Sequence, residues 1–197
     1  MRPTLPLIVL VASSVAAAAC VARPSEVRTD WRDPTASTVR FQKAAVLFVG
    51  TDSTLRRQVE DRLAKRVRNL VASYSLISDQ QLAAADTQAI HTALLSGGFD
   101  GALVVRLISV ETQKGDSTIP ATTPSEDLWA YLRRIPRSAL VPGNQTAITM
   151  ESRAYSAGRG TLLWAGHTRS FNPLSLSELL NMMVDASVDE IRRQGLL

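Results

Sequence analysis

Lys43-Ala44-Ala45-Val46-Leu47-Phe48-Val49-Gly50, followed by Thr51-Asp52-Ser53, is the stretch on which the fold turns. A short apolar run that stops at glycine reads as a strand. Thr51, Asp52 and Ser53 then offer N-cap oxygens to a helix. That helix places Leu55, Val59, Leu63, Val67 and Leu70 on one stripe, the spacing of a face that packs on a sheet. Arg56, Arg57, Glu60, Asp61, Lys65 and Arg68 fall largely off it. A second β-type run, Val71 to Ile77, follows. Strand, helix, strand is the unit whose crossover makes a parallel pair.

Working outward, Ser78-Asp79-Gln80-Gln81-Leu82 has the pattern of a helix start with a capping box. Asp86 caps a further helix with Ala89, Ile90, Ala93 and Leu94 on its apolar face, and Gly97-Gly98 end it. Residues 101–110 are apolar almost throughout, as a strand buried on both faces should be. Thr146 to Ser156 and Thr161 to Phe171 form a hairpin across Ala157-Gly158-Arg159-Gly160. Ser175 and Glu178 open a last helix, with Leu176, Leu179, Leu180, Met183, Ser187, Val188 and Ile191 as its buried face and Gly195 as its stop. The expected fold class is α/β: a βαβαβ unit, then an antiparallel hairpin and a C-terminal helix, in one mixed sheet with helices packed on it.

Residues 112–144 break this rhythm. Thr, Pro, Gly and Asp dominate around one amphipathic piece, Ser125 to Ile135, with Leu128, Trp129, Tyr131 and Leu132. A connection of this length in a small domain is usually functional or disordered. Trp129 and Tyr131 are residue types enriched at binding hot spots, so they are the candidate partner contacts. The same aromatics could instead fold back as a lid on the core.

The chain has 197 residues, and the first 19 read as an export signal: Arg2, the apolar core Leu5 to Val11, and small residues from Ala16 to Ala19. The apolar core is shorter than the roughly 20 residues a membrane span needs. Ala17-Ala18-Ala19-Cys20 resembles the lipobox of bacterial lipoproteins, in which the cysteine is lipidated and becomes the new N-terminus; Ala17 stands where Leu is usual. The alternative is ordinary Ala-x-Ala cleavage beside a chance cysteine. Lipidation is preferred because Cys20 is the only cysteine and stands where the signal ends. A lone thiol makes neither an internal disulfide nor a four-ligand zinc site. Val21 follows where Asp does not, which by resemblance to enterobacterial lipoproteins directs the protein to the periplasmic face of an outer membrane.

The expected organisation is therefore signal peptide 1–19, a lipidated Cys20 with a flexible tether to residue 40, and one α/β domain over 41–197 with the long insertion at 112–144. Trp31, inside the tether, is expected to cover an edge of the core. Without residues 1–19 the formal charge is +3, with 21 basic against 18 acidic residues, dispersed rather than in a stripe. That argues against nucleic acid as a partner and leaves the membrane, through the anchor, and an envelope protein or cell-wall polymer.

Gly50-Thr51-Asp52-Ser53-Thr54 lacks the second glycine and the lysine of dinucleotide and P-loop motifs, and Asp52 would repel an anion. The two histidines, His91 and His167, have no motif neighbour, and no serine sits in a nucleophile elbow. Glu126 and Asp127 read as helix-start charges. No catalytic constellation, cofactor site or metal site is recognisable, so an enzyme is not the expected reading. Arg106, in the middle of an apolar strand, needs a partner; Glu151 or Asp100 could supply one, and an anion site at the sheet surface is the functional alternative.

Met150-Glu151-Ser152-Arg153-Ala154-Tyr155, Gly160-Thr161-Leu162-Leu163-Trp164-Ala165-Gly166 and Phe171-Asn172-Pro173 together resemble a family of uncharacterised bacterial lipoproteins, as do Arg56-Arg57 with Glu60-Asp61 and Ser73-Tyr74. The resemblance spans nearly all of 41–197 and matches least in the insertion. It implies membership of an envelope lipoprotein group and brings no catalytic residue with it. More loosely, the element order is similar to small envelope α/β domains such as those of LpoB, CsgG and the N-terminal part of TolB. The expected function is a lipid-anchored binding or assembly module; the alternative is a small-molecule or lipid-handling envelope protein with a pocket under the 112–144 insertion.

Overall fold

The computed structural model describes residues 25–36, 39–112, 145–171 and 175–197. Among these, one mixed sheet of six strands is built from β1 (Glu26–Arg32), β2 (Ala44–Val49), β3 (Leu70–Ala72), β4 (Gly101–Thr112), β5 (Gln145–Ser156) and β6 (Leu162–Phe171) in the order β1-β6-β5-β4-β2-β3. Four helices pack on it: α1 (Ser53–Arg66), α2 (Asp79–Ala83), α3 (Thr87–Ser96) and α4 (Leu176–Arg193). β2 is parallel to both β3 and β4, and every pair from β4 to β1 is antiparallel. The expected βαβαβ unit, hairpin and C-terminal helix are all present.

The sheet buries both faces. Alternate residues of one strand feed two clusters, as a period of two requires. On one face Val46, Phe48, Leu103, Val105 and Met150 meet Val59 and Leu63 of α1 and Leu180, Met183 and Val188 of α4. On the other Ala45, Leu47, Val104 and Tyr155 meet Leu82 of α2 and Ile90 and Leu94 of α3. Of the expected α1 stripe, Val59 and Leu63 are fully buried and Leu55 packs beside them, but the helix ends at Arg66, so Val67 is its extended cap and Leu70 opens β3. Leu176 departs from its expected place: as the first residue of α4 it is 51% exposed, beyond the reach of the sheet.

Helix ends follow their local chemistry. Asp52 accepts from the backbone N–H groups of Thr54 and Leu55, Ser78 and Gln81 complete a capping box, and Asp86 and Ser175 cap α3 and α4. Gly101 opens β4 because a side chain there would drive into the Phe41 ring, 2.3 Å from where its Cβ would stand.

Two segments differ from the sequence reading. The run 71–77 gives only the three-residue β3, after which Ser73–Ser75 turns as a 3-10 helix. The stretch expected as tether through residue 40 contains β1, which pairs with β6 from Glu26↔Arg169 to Arg32↔Trp164. Val27 and Thr29 are half-buried while Glu26, Arg28 and Asp30 are exposed, the alternation of a strand with one face on a core. A bulge between Thr29 and Trp31 breaks that alternation, so Thr29 serves the α4 face while Trp31 packs against the α2–α3 face. Trp31 thus covers a core edge, as expected.

Candidate functional site

Cys20, Trp129 and Tyr131 lie outside the described residues, as does the whole interior of the 112–144 insertion and any pocket beneath it. The described residues hold three polar clusters.

The first lies on the sheet face opposite α1 and α4. Arg106 of β4 stands in register with Glu151 of β5, and Glu151 with His167 of β6. Arg106 Nε donates to Glu151 Oε2 at 2.6 Å, and Arg153, two residues along β5 on the same face, approaches Glu151 Oε1 through Nη2 at 3.0 Å and Nε at 3.1 Å. All three side chains are buried. Of the two partners considered for Arg106, Glu151 is the one used. Asp100 sits at the far end of β4, where its carboxylate accepts from the Gln42 and Lys43 backbone N–H groups. Two guanidiniums share one carboxylate. His167 Nδ1 lies 2.9 Å from Asp30 Oδ2 at the rim. His91 is half-buried on α3.

The second cluster was not legible as such. Arg56 and Glu60, off the apolar stripe of α1, are buried at 2% and 0% exposure. Glu60 Oε1 accepts from the Phe48 backbone N–H at 3.0 Å and from Arg56 Nε at 2.9 Å, while Oε2 accepts from the Tyr74 N–H at 3.0 Å. Arg56 goes on to Ser73 Oγ, the Ile77 carbonyl and Asp79. The cause is topological. β3 pairs with β2 only as far as Ala72↔Val46, so the Phe48 N–H is left without a strand partner and a carboxylate takes it. Beside it, the Tyr74 hydroxyl donates to Asp61 at 2.6 Å, and that hydrogen bond holds its pKa above the ordinary tyrosine value. Every strong donor here has an acceptor, which marks the cluster as structural.

The third cluster fastens β1 to α4. Thr29 Oγ1 donates to Glu190 Oε1 at 2.6 Å and accepts from Trp164 Nε1 at 3.1 Å. Arg32 donates to the Gln194 carbonyl and side-chain oxygen, and Arg193 pairs with Glu190 at 2.6 Å. Burial pushes the Glu190 carboxyl up, but the hydrogen bonds from Thr29 and Gln194 and the Arg193 charge outweigh it, and the net shift is downward. Gly166 permits the close pairing, since a Cβ there would meet the Arg28 carbonyl at 2.8 Å and the Trp164 ring at 2.5 Å. β1 is therefore part of the folded body.

Among the described residues, no group of three or more His, Cys, Asp and Glu could hold a metal ion. No protein-family model matches the chain, and no curated protein does. Solved structures distantly similar in path include the following two. The PelC dodecamer from Paraburkholderia phytofirmans is 11% identical, with 83% of this chain and 94% of that one covered at a TM-score of 0.43. The lipoprotein GNA1162 from Neisseria meningitidis is 15% identical, with 77% and 99% covered at a TM-score of 0.39. Likeness at this level fixes neither activity nor assembly for this chain.

Proposed function

We propose that the protein is exported and held on a bilayer by lipid on Cys20, at the periplasmic face of the outer membrane where the host has one, and that it acts there as a binding or assembly module. One observation carries the reading: the only cysteine of the chain stands immediately after an apolar, small-residue stretch with a basic start. No helix among the described residues is long and apolar enough to cross a membrane, so retention falls to the acyl chains. Two or more chains on one residue hold far more firmly than the marginal grip of one. The module role is supported by chemistry: the Arg56–Glu60 and Thr29–Glu190 clusters serve structure, while the large aromatics Trp129 and Tyr131 fall in a 32-residue interval between β4 and β5 that a two-strand connection does not need. Fractionation of the Cys20→Ser protein tests the anchor. It should leave the membrane fraction entirely, and a variant still pelleting with membranes after carbonate washing contradicts the reading.

A further inference from the structure

We infer that one end of the sheet faces the lipid surface: the end carrying Glu26, the Gly50–Thr54 turn and the strand termini Thr112 and Gln145. The inference rests on the anchor reading above and adds an orientation that the anchor alone does not set. Because β1 is paired to β6 and fastened to α4 through Thr29 and Arg32, the sheet has a fixed hold on the chain from Glu26 onward. Six Cα steps separate Cys20 from Glu26, and at 3.3–3.6 Å each they reach at most about 20 Å.

The body is longer than that tether. Glu26 is level with Arg169, and Arg169 with Thr149. The β5–β6 turn at Gly158 lies nine residues further along, about 30 Å at the rise of a strand. A chain anchored through Cys20 cannot bring that turn to the same surface with the sheet inverted; it falls about 10 Å short. The opposite end is under no such strain. Val49 is level with Arg106 and Arg106 with Glu151, which puts the Gly50–Thr54 turn close to the level of Glu26. β4 and β5 continue about three residues past Glu26 toward the anchor, roughly 10 Å and within its reach.

The surface chemistry agrees. Three large hydrophobic side chains are exposed among the described residues. Leu76, 43% exposed, lies beside the first turn of α1, where Arg56 reaches the Ile77 carbonyl, and Leu176 opens α4. Both lie toward the anchored end, whereas Leu95, in the last turn of α3, lies toward the other. Thr51, Ser53 and Thr54 complete the end with exposed hydroxyls able to hydrogen-bond headgroups, while the Asp52 carboxylate is engaged by the Thr54 and Leu55 N–H groups.

The test uses the full lipidated chain in phosphatidylethanolamine–phosphatidylglycerol vesicles, with Thr51→Cys or Gly158→Cys carrying a fluorophore. Both positions are exposed, and a Cβ at Gly158 meets nothing within 4 Å. The Cys20 sulfur is occupied by lipid, so the introduced thiol alone is labelled. Headgroup spin-labelled lipid should quench the Thr51 label several-fold more than the Gly158 label. Twenty Gly/Ser residues inserted after Ala22, a flexible coil of about 25 Å, should bring the two toward equality. Equal quenching without the insertion, or stronger quenching at Gly158, overturns the orientation and leaves the anchor standing. An unmodified Cys20 in the same preparation overturns the anchor reading instead.

Discussion

Glu60→Ala is the sharpest perturbation of the fold. In the native protein its carboxylate takes the Phe48 and Tyr74 backbone N–H groups, the Ser73 hydroxyl and Arg56 Nε, at 2.9–3.1 Å, with no solvent exposure. Alanine leaves two buried backbone donors and a buried guanidinium facing a cavity. Removing one member of a buried ion pair costs about 3–5 kcal/mol, which at this chain length lowers Tm by roughly 6–20 °C. Glu60→Gln separates the charge from the shape. Its amide oxygen replaces one acceptor, but its NH2 points at a donor, so it too should melt well below the parent. Circular-dichroism melts of the Cys20→Ser background at neutral pH read both variants. A Glu60→Ala protein within 1 kcal/mol of its parent would refute the argument that this carboxylate substitutes for the missing length of β3.

Other outcomes follow from the same structure. Val59→Asp, on the buried stripe of α1, should unfold the domain, while Arg57→Ala, whose side chain is 62% exposed, should shift stability by no more than about 0.5 kcal/mol; equal melting of the two would contradict the helix face. Because the Glu190 carboxyl is shifted down in the folded state, its contribution is complete above the ordinary glutamate pKa and is lost as pH falls through the lower folded value. Hydrogen exchange across residues 26–32 should therefore loosen with acid in the parent and less steeply in Glu190→Gln, and identical slopes would exclude Glu190 as the acid-sensitive fastener. Trp129→Ala should abolish crosslinking to envelope partners in intact cells without altering Tm; a drop of several degrees would identify Trp129 as a lid on the core.

Most of the fold was legible because it is written in local periodicity. The stripe of α1, the continuous apolar run of β4 and the capping residues Ser78, Asp86 and Ser175 each specify an element without help from distant residues. What was missed depends on partners far along the chain. Arg56 and Glu60 lie off the stripe and read as surface charges, yet the early end of β3 draws them inward to serve Phe48. Their i, i+4 spacing on one helix, with Ser73 and Tyr74 following, was the available signal. Ser73–Ser75 alternates like a strand but turns where Glu60 takes the Tyr74 N–H. In β1 the alternation of Val27, Thr29 and Trp31 with Glu26, Arg28 and Asp30 was present, bracketed by Pro24 and Pro34, but its partner strand lies more than 130 residues away. An acidic partner for Arg106 was expected from the cost of an unpaired buried charge, with Glu151 and Asp100 both open, whereas the choice of Glu151 and the addition of Arg153 as a second donor required the register of β5. The candidate contacts Trp129 and Tyr131 stand on composition alone.

Membrane retention and the orientation of the sheet both depend on the chemical state of Cys20. Intact mass spectrometry of the protein isolated from bacterial membranes, with fragmentation of its N-terminal peptide, reads that state directly. The predicted result is a chain that begins at Cys20 and carries acyl-chain mass on that residue. A chain that begins at any other residue, or at Cys20 with a free thiol, would contradict the anchor and the membrane-facing orientation together.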